Sequence, residues 1–163
     1  MKKTLTGGVV CVFLCGGAFA GTAIDDPVDP VESSMQIVGE DVYGTYASPN
    51  PYVGVADGEP AQLIWTDVLH HPDASYVCPH FSRMMLGEGD YVIIRSPDGS
   101  RTWRYERDGI DGLGAGADGF WGIHIAGDTA IVELWSVGSD GGFGYVIDRY
   151  ARGFTREEVE GDS

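Results

Sequence analysis

His70, His71, Cys78 and His80 fall within one short run, HHPDASYVCPH. Imidazole and thiolate are the side chains that hold zinc or copper, so the run is a candidate transition-metal site. If Ser75 to Phe81 is a strand, Cys78 and His80 share a face with Tyr76, because successive side chains on a strand alternate. His70 or His71 across a hairpin would then complete the donor set. The spacing matches no standard zinc motif, and a structural role for His80 within the strand competes with ligation. A second constellation, DGIDGLGAGADG from Asp108 to Gly119, is the most glycine-rich piece of the chain. Glycine admits positive φ, and Asp108, Asp111 and Asp118 could turn carboxylates toward a calcium ion. The spacing is not that of an EF-hand. Nor is it a phosphate cradle, since no lysine or helix start follows and three acids would repel phosphate. The competing reading is a hairpin loop at the end of a sandwich.

Aromatic and acidic side chains supply two further candidates. Trp103 and Tyr105 share a strand face by alternation and form either a platform for a sugar ring or one half of the core. Phe120-Trp121 and Leu134-Trp135 are adjacent pairs, so one member of each faces inward and the other outward. Glu133 and Asp148, on different strands, would share a face as an acid and base only if a cleft brought them together. The bland reading pairs them with arginines, and Arg83, Arg95, Arg101, Arg104 and Arg107 are read as partners for the surplus carboxylates.

A nucleophile is harder to find. The loop Gly138 to Gly144, GSDGGFG, is a scrambled echo of the Gly-Asp-Ser-Gly-Gly loop of trypsin-like enzymes, with Ser139 on the wrong side of Asp140. A turn is the simpler reading, and no enzymatic activity is expected of this chain.

The elements that must carry these residues are β-strands. From Tyr52 onward, short apolar runs alternate with turn signals: Gln62 to Leu69, Ser75 to Phe81, Asp90 to Ser96, Arg101 to Glu106, Phe120 to Ile125, Thr129 to Val137 and Gly144 to Ala151. Tyr91 to Ile94 is strongly β-branched or aromatic, and Ser96-Pro97-Asp98-Gly99 marks a hairpin turn. The rhythm predicts an all-β protein, a single jelly-roll-like sandwich of about seven or eight antiparallel strands. Only Thr155 to Val159 reads as a brief helix.

Ahead of the strands, Lys2 and Lys3 precede an apolar stretch from Leu5 to Leu14, and Ala18-Phe19-Ala20 is a small-x-small cleavage site. Residues 1–20 therefore read as a secretory signal peptide, too short in its apolar core to span a bilayer. The expected location is extracellular or periplasmic. Residues 21–51 read as an acidic, proline-rich leader or linker, although Met35 to Val38 could add an edge strand. Residues 52–154 read as the sandwich and 155–163 as an acidic tail. Cleavage would remove Cys11, Cys15 and both lysines, leaving Cys78 as the one cysteine and arginine as the basic residue. Such a fold must hold itself by packing rather than by disulfides. The chain has a net charge of −15. That charge repels nucleic acid and anionic lipid and suits an extracellular surface.

The order of four pieces is more specific than any one of them. His80-Phe81, LGEGDYVIIRSPDG, FWGIHIAGDTAIVEL and GFGYVIDRYARGF together resemble a module found ahead of the catalytic domain in secreted bacterial serine proteases of the trypsin-like and lysyl-endopeptidase-like types. The resemblance spans roughly Tyr52 to Phe154. GDYVIIRSPDGS and GFGYVIDRY also look like the CUB domain, a jelly-roll sandwich, but CUB domains usually carry paired cysteines and this chain departs from that pattern. The resemblance implies a non-catalytic module, serving as leader, chaperone-like or targeting segment. Its implied partner is a protease, a substrate protein or a cell-surface glycan, with no cofactor expected and calcium the candidate ion. Two alternatives accompany it: the truncated or leader part of a trypsin-like protease, and a calcium-dependent or carbohydrate-binding module.

Overall fold

A computed structural model describes residues 38–107 and 119–161. Nine strands and one helix follow in order: β1 Gly39–Ala47, β2 Gln62–His70, β3 Tyr76–Met85, β4 Tyr91–Arg95, β5 Thr102–Glu106, β6 Phe120–Trp121, β7 Ile125–Ala126, β8 Thr129–Ser136, β9 Gly144–Gly153 and α1 Arg156–Gly161. They form two antiparallel sheets, one ordered β1-β9-β3-β6 with β7 also on β3, the other β2-β8-β4-β5. The expected all-β sandwich is what the chain adopts.

The core lies between the sheets. Val92 and Ile94 of β4, Val132 and Leu134 of β8, and Leu69 of β2 meet Val77, Phe81 and Met84 of β3 and Tyr145 and Ile147 of β9, all 0% exposed. The β-branched run of β4 pairs Val92 with Tyr105 and Ile94 with Trp103, so the predicted hairpin forms in register. Its turn is tied by Asp98, whose carboxylate accepts from the Ser96 and Ser100 hydroxyls and the Ser100 amide. These bonds hold the exposed Asp98 carboxyl down at about 2.

Two departures from the sequence reading have physical causes. The segment read as leader contributes β1, which lines the edge of β9 with a bulge between Tyr43 and Tyr46. Its acids are held by cations far along the chain, Glu40 by Arg152 and Asp41 by Arg149. The run Phe120 to Ile125 is split into β6 and β7 on either side of Pro79 in β3. Proline has no N–H to give a ladder there, and its carbonyl instead accepts the Gly122 amide. The brief helix expected in the tail forms and is capped: the Glu158 amide donates to Thr155 Oγ1 and the Thr155 amide to Glu158 Oε2, a capping box.

One end of the sandwich is closed by three loops. The Asp90 carboxylate is fully buried and accepts from the Tyr52 hydroxyl and the Val137 amide, while the Gly87 amide donates to the Tyr52 oxygen. Backbone packs directly on backbone there. A Cβ on Gly87 would lie 1.9 Å from the Asp140 carbonyl oxygen, and one on Gly141 2.1 Å from that of Tyr52. The glycines of GSDGGFG thus serve loop packing between β8 and β9.

Burial acts on the tyrosines as well. It pushes the Tyr52 hydroxyl up to about 12, helped by Asp90, and pushes Tyr105 up to about 12 also. A tyrosine with a raised folded-state pKa binds more protons folded than unfolded once pH passes its ordinary value near 10. Folding stability is therefore full below about pH 10 and falls as pH rises through about 12. Chemical denaturation across this window should show the fall, and Tyr52→Phe should make it shallower.

Candidate functional site

The outer face of β2-β8-β4-β5 gathers the surface side chains best suited to contact. Across the sheet, Leu63 stands opposite Trp135, Trp135 opposite Tyr91 and Tyr91 opposite Glu106. The Tyr91 and Trp135 rings are nearly parallel, 7° apart with centroids 6.1 Å from one another. The Arg104 guanidinium lies 3.8 Å over the Tyr91 ring and is ion-paired with Glu106. Behind them, Glu133 is held by Arg95 at 2.7 Å and accepts from the Trp135 indole N–H, which fixes the ring. Leu63 and Val68 of β2 are 47% and 53% exposed beside this row. The result is a flat patch with a rigid aromatic–arginine stack at its centre and aliphatic side chains at its rim.

The other sheet carries a row centred on the buried His80. Tyr43, Arg149, His80 and Trp121 are neighbours across β1, β9, β3 and β6. His80 Nδ1 bonds Asp148 Oδ1 at 2.5 Å, and its ring meets Trp121 edge to face. Arg149 lies over both the Trp121 and Tyr43 rings and is ion-paired with Asp41 and Asp148. The charges here are paired across the strands, which braces the sheet, although the buried Arg149 Nε makes no hydrogen bond among the described residues.

The sequence-predicted residues are distributed as follows. His70 is on β2, where its Nδ1 lies 2.9 Å from Thr129 Oγ1, and His71 reaches the Tyr150 hydroxyl. Cys78 and His80 are on β3 in the opposite sheet, the thiol donating to the Gly122 carbonyl. The four donors thus turn to four different partners. Among the described residues no group of three or more His, Cys, Asp or Glu side chains is placed to hold a metal ion. Asp108, Asp111 and Asp118 lie outside the described residues.

Two constellations follow the simpler of their readings. Tyr105 is 3% exposed and its hydroxyl accepts the Ile123 amide, so it belongs to the core. Trp103 stays 52% exposed because β5 is an edge strand. The two do not make a common platform. Glu133 and Asp148 are in different sheets, paired with Arg95 in one case and with His80 and Arg149 in the other, so they do not share a face.

The Tyr91–Trp135–Arg104 stack was missed as a unit. Leu134-Trp135 alternation signals an outward tryptophan, but placing Tyr91 and Arg104 beside it requires the register of three strands. No helix among the described residues is long and apolar enough to cross a membrane. No protein-family model matches the chain, and no curated protein matches it.

Proposed function

We propose that this chain is a secreted, non-catalytic β-sandwich binding module that acts alongside an extracellular serine protease and contacts a protein partner through the outer face of β2-β8-β4-β5. The observation that carries this reading is the Tyr91–Trp135–Arg104 stack bordered by exposed Leu63 and Val68. Tryptophan, tyrosine and arginine are the side chains that dominate protein interfaces, above all where neighbours have already fixed their rotamers. A sugar ring would need an open aromatic face. One face of Tyr91 is covered by Arg104, and Trp135 stands parallel to it as the next ring in the row, which favours a protein partner over a glycan. The protease is implied by the sequence resemblance alone.

The test is binding of the purified chain to a trypsin-like or lysyl-endopeptidase-like serine protease, inactivated at its serine, measured by calorimetry. Binding is expected, and Trp135→Ala should weaken it at least about tenfold, while Trp103→Ala, on the other face, leaves it unchanged. Failure to bind either protease type, or binding indifferent to Trp135→Ala, would overturn the reading. Retention on a glycan array in place of protease binding would move it to carbohydrate recognition.

A further inference from the structure

The two sheets end in edge strands, and they are not equally protected. β1 carries Glu40 and Asp41, both ion-paired, and a bulge between Tyr43 and Tyr46. β5 presents Arg104 and Glu106. β6 and β7 are two residues each. Charges, bulges and shortness are the usual devices that stop a sheet edge from recruiting another strand.

β2 has almost none of them. It runs nine residues, QLIWTDVLH, with no Lys, Arg, Pro or Gly. Its one carboxylate, Asp67, is occupied by the Tyr145 hydroxyl and the Trp65 indole N–H. Leu63, Trp65 and Val68 are 47%, 39% and 53% exposed. The bulge between Leu63 and Trp65 leaves Trp65 to His70 in regular pairing with β8. Among the described residues no strand pairs with the other side of β2.

We infer that β2 pairs antiparallel with β2 of a second copy, joining two sandwiches through one continuous sheet. The second copy is the occupant because it brings the same largely apolar edge, on which the one carboxylate, Asp67, is already bonded within its own chain by the Tyr145 hydroxyl and the Trp65 indole N–H. A two-fold axis also closes the assembly: the joined sheet reads β5-β4-β8-β2-β2-β8-β4-β5 and terminates on the charged β5 at both ends. A strand pair with three apolar side chains a side is small against the roughly 1,200 Å² of a stable interface. Each chain also carries a net charge of −15. The dimer is therefore weak, depends on concentration, and strengthens as salt screens the repulsion, the opposite of an attraction between unlike charges.

Sedimentation of the purified chain over a concentration series, in about 0.05 M and about 0.5 M sodium chloride, tests this inference. The expected result is a monomer whose mass doubles with concentration, the midpoint moving to lower concentration in high salt. Val68→Lys, which sets a charge on the exposed edge strand, should abolish the doubling while leaving circular dichroism unchanged. Amide exchange supplies a second readout: Trp65 to His70 should gain protection as the wild-type dimer forms. A monomer at every concentration and salt, a dimer that Val68→Lys does not weaken, or open-ended polymers in place of dimers would each overturn it. The inference shares Leu63 and Val68 with the proposed protein-binding face but does not rest on it, since self-association and protease binding are separate measurements.

Discussion

Replacing Phe81 by alanine is expected to cost about 3–5 kcal/mol and to leave the chain at the edge of unfolding at room temperature. Phe81 is 0% exposed and stacks on Phe120 with centroids 5.0 Å apart and planes 15° apart. Tyr145 meets it edge to face at 5.7 Å, and Tyr105 lies at 6.2 Å. It also occupies a bulged position of β3, paired with Phe120 on one side and Ile147 on the other. Deleting the ring leaves a cavity walled by rigid aromatics that cannot collapse into it, which places the cost toward the upper part of the usual range for such deletions. Denaturant titration measures the effect. Val53→Ala, at an 84% exposed position, is the control and should change stability by less than about 0.5 kcal/mol. A Phe81→Ala chain that lost under about 1 kcal/mol would mean that the aromatic cluster repacks freely, against the stiffness of well-packed interiors.

The second large effect is expected at Asp90. Asp90→Ala removes the acceptor of both the Tyr52 hydroxyl and the Val137 amide at a site with no solvent exposure. Each buried donor left without a partner costs about 1–3 kcal/mol, so the loss should be about 2–6 kcal/mol. Tyr52→Phe removes one of those donors beforehand. The double variant should therefore be more stable than the sum of the single effects implies, by about 0.5–3 kcal/mol, as measured by denaturation of all four chains. Strict additivity would show that the two side chains do not act as a unit, and that the three loops are held by glycine packing alone.

Much of the architecture could be read from local sequence, because its causes are local. The β4–β5 hairpin is written in YVIIRSPDGSRTWRY, a β-branched run, a turn and an alternating return. β8 and β9 follow from the same alternation. β1 could not be read this way. GEDVYGTYA carries two acids and two glycines, and it becomes a strand because Arg149 and Arg152, some hundred residues later, neutralise those acids. The split between β6 and β7 likewise depends on a proline in another strand.

The candidate sites divide along the same line. HHPDASYVCPH is contiguous in sequence, yet the chain crosses from one sheet to the other between His70 and Cys78, and proximity along the chain is lost in space. Alternation correctly places Trp103 and Tyr105 on one face. It says nothing of the sheet's margin, where the inner face runs out and Trp103 meets water. Tyr91, Trp135 and Arg104 come from three strands, and only the register brings them into one row.

The two ends of this sandwich stand under different constraints. At the Asp90 end, main chain touches main chain, and Gly87 and Gly141 have no room for even a methyl group. At the other end, the turns around Asp73, Gly99 and Gly127 face open space, since a Cβ on Gly99 or Gly127 would meet nothing within 4 Å, although the positive φ of 71° and 99° at those two positions still favours glycine itself. Over evolutionary time the contact glycines of the first end can accept hardly any substitution, while the non-glycine positions of the outward turns can diversify without disturbing the fold. Descendants of this chain would acquire new specificities most readily at those outward turns, and an engineer grafting a foreign loop would begin there too.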